Sequence, residues 1–123
     1  MSRATRRAQI AIVLAASMLA GCAPNRPPPG VQGDPQRGKI ALTQYACHSC
    51  HSVPGVAGSK VYVGRPLEGL DKRRYIAGKA PNSQATLVRF IRDPQAIDPG
   101  NAMPTLGVSE RDALDISAYL LSQ

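Results

Sequence analysis

The sequence predicts a small all-α domain with three main helices and long loops. Three apolar segments each follow a helix-capping residue, the stretches between them are rich in glycine and proline, and no strand-like alternation occurs. The chain has 123 residues, with one Phe and no Trp, so large apolar side chains are few. Because so small a domain is marginally stable without a staple or a ligand, we expect something other than side chains to complete the core.

The first helix is expected to begin at Pro35, with Asp34 as its N-cap. Proline suits the first helical position because its missing N–H group has no partner there, and a carboxylate at the N-cap accepts from the first free N–H groups. This helix is predicted to place four residues on its apolar side, namely Ile40, Leu42, Tyr45 and Ala46.

Two further helices are marked by their caps. One is predicted over residues 83–92, capped by Asn82 or Ser83 and ended before Pro94, because the residue before a proline disfavours helix. The last begins at Ser109, where "SERD" is similar to a capping box.

Residues 1–21 have the composition of an export signal. They begin with a basic segment and continue with an apolar run from Ile10 to Ala20, which is shorter than the ~20 residues needed to span a bilayer as a helix. The following "LAGC" resembles the bacterial lipobox, in which the cysteine becomes the lipidated first residue. We therefore expect lipidation at Cys22. The alternative is an ordinary signal peptide cleaved near Ala23.

The rest of the chain divides into a linker, residues 22–34, and a folded domain, residues 35–123. The linker is rich in proline and would reach at most about 37 Å over its last twelve residues if extended. The formal net charge of +7 falls to +4 when the three arginines of the signal are removed. This charge favours acidic protein partners or anionic lipid, and export argues against a nucleic-acid partner.

The segment "ACHSCHSV" contains two cysteines and two histidines within five positions, Cys47 to His51. A structural zinc site requires two separated ligand pairs, and a thioredoxin-like dithiol requires a βαβ context; neither is present in the sequence. The spacing C-x-x-C-H is instead the signature of covalent c-type haem attachment. We expect Cys47 and Cys50 to bind the porphyrin, His51 to bind iron, and His48 to be a surface residue.

The second iron ligand is predicted to be Met103. It is the only methionine outside the signal and lies in the loop "PGNAMPTLG", well separated from His51 along the chain. Methionine more often fills gaps in a core, but a Pro/Gly-rich loop is a poor setting for that role. Ligation by His and Met raises the reduction potential and closes the site, which favours electron transfer over gas sensing or catalysis.

From about Gly33 onward the chain resembles the small monohaem class I cytochromes c of bacteria. The resemblance is carried by "GDPQRGK…QYACHSCH", "RFIRDPQAIDPGNAMP" and "DISAYL". It implies a class I cytochrome c fold around one covalent haem, in which the first and last helices cross at Gly38 and pack Tyr119. It also implies an electron carrier rather than an enzyme, on the periplasmic side of the membrane, with a terminal oxidase or a quinol-oxidising complex as partner. A haem c subunit of a larger oxidase or dehydrogenase is the alternative.

Three positions depart from the family pattern. Leu42 replaces an aromatic residue at the helix crossing, and Phe90 replaces a Trp or Tyr that could donate a hydrogen bond. Arg65 occupies the place of a proline whose carbonyl accepts the N–H of the proximal imidazole. Because any residue has a backbone carbonyl, we expect Arg65 to serve in that position.

Polar contacts to the haem propionates are expected from Arg74 and Asn101, with Arg73 a weaker candidate. The exposed haem edge would be surrounded by basic residues that guide docking onto an acidic partner. The lysines predicted for this role are Lys39, Lys60, Lys72 and Lys79.

Overall fold

The computed structural model describes residues 26–59 and 63–123. The predicted signal, residues 1–21, and the predicted lipidation site Cys22 lie outside the described residues, as does Lys60. Among the helices of the two described ranges, none has the length and hydropathy of a membrane span.

In the part of the chain that the structure describes, the domain is formed by three α-helices, which confirms the all-α fold class. Their bounds are α1, Pro35–Gln44; α2, Gln84–Arg92; and α3, Glu110–Leu120. The caps are those expected: the Asp34 carboxylate accepts from the N–H groups of Gln36 and Arg37, Ser83 caps α2, and Ser109 caps α3.

Two very short strands were not predicted. Strand β1, Tyr75–Ile76, pairs antiparallel with β2, Ala80–Pro81. Ala77 lies at φ 51° and Gly78 at φ 72°, so the chain reverses within a tight turn. Two paired residues per strand are too few to produce an alternating pattern in the sequence.

Helices α1 and α3 cross in close contact at Gly38. A Cβ atom at this position would overlap the backbone carbonyl of Asp115, so only glycine permits the approach. Leu42 and Tyr119 are both buried in the core beside the crossing, as expected. Ile40 was predicted on the apolar side of α1, but it is 58% exposed, so that expectation was wrong. The core consists of Ala41, Leu42, Val53, Leu70, Ile76, Leu87, Ile91, Val108, Ala113, Ile116, Tyr119 and Leu120.

The end of the linker is held against the domain. The Gln32 N–H donates to Oε1 of Gln84 at 2.8 Å, and Nε2 of Gln84 donates both to the Gln32 carbonyl and, at 2.9 Å, to the hydroxyl of Ser117. Gly33, at φ 103°, passes so close to Leu114 that a Cβ would lie 2.6 Å from its carbonyl oxygen. Gln32 and Gly33, which the sequence assigns to the linker, therefore contact the folded domain.

Candidate haem site

The C-x-x-C-H motif forms one tight turn directly after α1. Ala46 has a left-handed backbone, φ 54°, and a 3₁₀ turn follows over Cys47–Ser49. The Cys47 carbonyl then accepts from the N–H groups of Cys50, at 3.2 Å, and His51, at 3.0 Å. Cys47 is partly buried against the core and Cys50 is exposed. Both thiols and the imidazole are thus carried by the same turn at the edge of the core.

The His51 imidazole is oriented by a backbone carbonyl. Its Nδ1 lies 2.7 Å from the carbonyl oxygen of Arg65, at the place where the sequence led us to expect this contact. A carbonyl only accepts hydrogen bonds, so Nδ1 carries the proton and donates it. The lone pair of Nε2 is then available to a metal, which is the usual arrangement of a ligating histidine.

The segment bearing this carbonyl is bound to the motif by backbone hydrogen bonds. The Gly64 N–H donates to the Cys50 carbonyl at 2.7 Å, and the Leu67 N–H donates to the Ser52 carbonyl at 2.8 Å. Gly64 leaves room for the imidazole, because a Cβ there would overlap the ring of His51. Gly64 was not among the predicted site residues. Its position next to Arg65 in "GRP" was the only signal in the sequence.

The two neighbouring arginines have different surroundings. The Arg73 guanidinium donates to the carbonyls of Pro66 and Glu68 and so supports the segment that holds His51. Burial, and then the charge of Arg65, hold the pKa of Arg73 below its ordinary value. Arg74 is exposed. Because its guanidinium has no hydrogen bond or ion pair within the described residues, Arg74 is the better placed of the two to meet an external carboxylate.

His48 differs from the prediction. It was expected at the surface, but it is only partly exposed, and its Nδ1 is buried without a hydrogen-bond partner in the described residues. Buried polar atoms are rarely unpartnered. The unpaired nitrogen lies in the motif itself, between the two cysteines.

Met103 is partly buried in a loop without regular structure. Its N–H donates to Oδ1 of Asn101 at 2.8 Å. Both amide hydrogens of Asn101 are donated to backbone carbonyls, one to Asp98 in the same loop and one to Pro94, just after the end of α2. Asn101 was predicted to bind a propionate. With no amide hydrogen left to donate, its geometry fits a different role, which is to shape the loop that carries Met103.

The Cys47 thiol does not have the character of a catalytic cysteine. Burial raises the pKa of Cys47, so its thiolate is disfavoured, whereas catalytic cysteines have a lowered pKa. Within the described residues, no group of three or more His, Cys, Asp and Glu side chains is placed to hold a metal ion.

The residues of the site fit haem c. One imidazole nitrogen is free beside two thiols at the attachment spacing, and a glycine keeps the space around the ring open. No Phe or Trp lies in the buried core of the described residues, where Tyr119 is the only aromatic side chain. A large flat apolar group would supplement this small core.

No family model matches the chain. Over 95 residues it is 34% identical to cytochrome c-550 of Nitrobacter winogradskyi, a match covering 68% of the chain and 84% of that protein. Over 87 residues it is 33% identical to cytochrome c oxidase subunit 2 of Alkalihalophilus pseudofirmus, which covers 70% of the chain. The chain spans only 25% of the length of that oxidase subunit.

The match to cytochrome c-550 extends over most of both proteins and agrees with the three-helix fold and the C-x-x-C-H turn. The chain belongs to the class I cytochrome c family.

Proposed function

We propose that this protein is a membrane-tethered, periplasmic electron carrier with one covalent haem c, and that it is not an enzyme. The observation that carries the proposal is the hydrogen bond from Nδ1 of His51 to the Arg65 carbonyl, because it leaves Nε2 free directly after the C-x-x-C pair. Haem c, when bound, supplies a reversible one-electron centre. Cys47 and Cys50 anchor it, and His51 and Met103 are the iron ligands.

Ligation by Met103 closes the site and so favours electron transfer over ligand binding. The support is that Met103 is the only methionine of the chain after Met18 and that its loop is tied by Asn101. Arg74, which is exposed, is the proposed contact for a propionate.

The tether is proposed from the sequence. Cys22, in "LAGC", is the lipidated residue, and the proline-rich segment after it connects the lipid to the domain. The partners are respiratory: a quinol-oxidising complex as donor and a terminal oxidase as acceptor. The net positive charge of the domain, to which Lys39 and Lys72 contribute, favours an acidic docking surface on the partner.

The ligand set is tested with Met103→Ala. We expect loss of the near-red absorption band of methionine-ligated ferric haem, new binding of carbon monoxide, and a midpoint potential lowered on the order of 0.1 V, because the thioether favours ferrous iron. Leu106→Ala, which truncates an exposed residue of the neighbouring chain segment, is the control and should leave all three unchanged. An unchanged potential and band in Met103→Ala would reject the proposed ligand.

The anchor is tested with Cys22→Ala. We expect the holoprotein to move from the membrane fraction to the soluble periplasmic fraction with an unchanged absorption spectrum. A variant still retained on membranes after a salt wash would contradict lipidation. The wash also separates a lipid anchor from electrostatic attachment, which is screened by salt.

A fixed subunit of an oxidase complex is the second candidate. It is favoured by the similarity to cytochrome c oxidase subunit 2, in which this chain matches only one part. Co-purification with an oxidase in constant ratio after detergent solubilisation would support it. A free carrier is expected to separate from the oxidase at moderate ionic strength, because transient redox pairs have small, charge-dependent interfaces.

A further inference from the structure

The segment around Met103 is the methionine loop, defined here as residues 98–104. It is not held by apolar packing: Asp98, Asn101 and Met103 are partly exposed and the other four residues are exposed. Gly100, at φ 84°, provides a left-handed turn within it. Within the protein itself, a polar interaction therefore positions the backbone of Met103.

Two side-chain amides provide that interaction. Gln95 reaches across the loop: its Oε1 accepts from the Gly100 N–H at 2.8 Å, and its Nε2 donates to the carbonyls of Asn101, at 3.0 Å, and Met103, at 3.4 Å. Asn101 acts from within the loop, where its Oδ1 accepts from the Met103 N–H at 2.8 Å. The N–H and the carbonyl of Met103 are thus each bound by an amide.

Asn101 also ties the loop to the end of α2. Its Nδ2 donates to the Asp98 carbonyl at 2.6 Å and to the Pro94 carbonyl at 3.2 Å. Pro94 is almost fully buried and begins a 3₁₀ turn, Pro94–Ala96, which also contains Gln95. Both amides therefore connect the methionine loop to a fixed part of the fold.

We propose that Gln95 and Asn101 are positioning residues that keep Met103 in place as an iron ligand. The inference rests on the proposed ligation of iron by Met103. It adds which residues control the release of Met103 from the iron. An amide both donates and accepts, whereas an ionised carboxylate only accepts. Gln95→Glu and Asn101→Asp preserve the shape and the accepting bond, and both replace donating bonds with repulsion between a carboxylate and carbonyl oxygens.

The experiment measures how readily imidazole displaces Met103 from the iron of the ferric holoprotein at neutral pH. Loss of the near-red absorption band reports the displacement. Loss of the hydrogen bonds that either amide donates should raise the apparent affinity for imidazole about fivefold to tenfold. The reason is that the population of the form in which Met103 is released from iron rises by the same factor. Gln44→Glu is the matched control. It makes the same change of charge on an exposed residue whose side chain has no hydrogen bond within the described residues.

The outcomes separate the two proposals. If Met103→Ala itself leaves the band and the imidazole affinity unchanged, Met103 is not the ligand and the proposed function fails at this point. If Met103→Ala abolishes the band but Gln95→Glu and Asn101→Asp behave like Gln44→Glu, the positioning role alone is overturned. It is also overturned if the two variants lower the denaturant midpoint of the holoprotein without changing the imidazole affinity, because a purely structural role would do that.

Discussion

At the scale of single residues, the site depends on a glycine, whose Cα carries a hydrogen atom in place of a side chain. Gly64 leaves space for the His51 ring and donates its N–H to Cys50, so one residue both positions and accommodates the imidazole. Arg65 then supplies only a backbone carbonyl to that ring. The identity of the side chain at position 65 therefore matters less than the backbone path through Gly64.

We expect Gly64→Ala to destabilise the holoprotein by about 1–3 kcal/mol, the usual cost of overpacking, because the new methyl group collides with the imidazole. Denaturant unfolding of the holoprotein measures this difference. Gly58→Ala is the comparison: that position has open space but φ 81°, so it tests backbone strain without a collision. Equal stability of Gly64→Ala and the unmodified protein would show that the ring does not occupy this space in the holoprotein.

At the scale of elements, the contact between α1 and α3 combines close approach with a charge network. Asp115 on α3 is buried, and its carboxylate accepts from Nε of Arg37 at 2.7 Å and from the Asp34 N–H at 2.7 Å. Burial alone would raise the pKa of Asp115, but the bonds from Arg37 and Asp34 outweigh it, and the pKa lies below its ordinary value of 3.8. The charged form of Asp115 thus stabilises the fold.

This stabilisation has a definite pH dependence. A carboxyl whose pKa is lowered by folding contributes fully well above 3.8, and the contribution is lost as the pH falls through the pKa of the folded state. Asp115→Asn should therefore lower the free energy of unfolding by about 2 kcal/mol at pH 7, and the difference should shrink as the pH falls below 3.8. Urea unfolding at pH 7 and at acid pH measures it.

The control for this prediction is Asp71→Asn. Asp71 is exposed in a short 3₁₀ turn, and its side chain has no hydrogen bond or ion pair within the described residues. The substitution Asp71→Asn should change the free energy of unfolding little at either pH. A loss for Asp115→Asn that is the same at pH 7 and at acid pH would mean that packing of the side chain, and not its charge, stabilises the crossing.

The same elements show what the sequence was able to predict. The helices were predictable because their caps, Asp34, Ser83 and Ser109, are local signals. The haem motif was predictable because its residues are adjacent. The roles of Gly64 and Gln95 were not, since each depends on an approach between segments that the sequence alone does not place together. Strands β1 and β2 were not predicted because two residues are too few to show the alternating apolar and polar pattern of a strand.

At the scale of the whole molecule, Gln84 joins the linker to both α2 and α3. Gln84→Ala removes the acceptor of the Gln32 N–H, so amide exchange at Gln32 should accelerate about fivefold to tenfold. Hydrogen exchange of the holoprotein measures this directly. Gln36→Ala, which changes an exposed residue of α1, should leave exchange at Gln32 unchanged. Unchanged exchange in Gln84→Ala would mean that the neighbouring Gly33 contact alone holds the segment.

This attachment point determines how the domain would move when it is tethered. With Gln32 bound to Gln84, the segment 23–31 of the proposed tether would span at most about 28 Å if it were fully extended. It leaves the domain beside the first turn of α1, and the cysteines follow the other end of that helix, about 15 Å away. If Cys22 carries the proposed lipid, this short segment would keep the domain close to the bilayer. Its search for partners would then be two-dimensional, limited by lateral diffusion and by how far a partner's docking face stands above the bilayer.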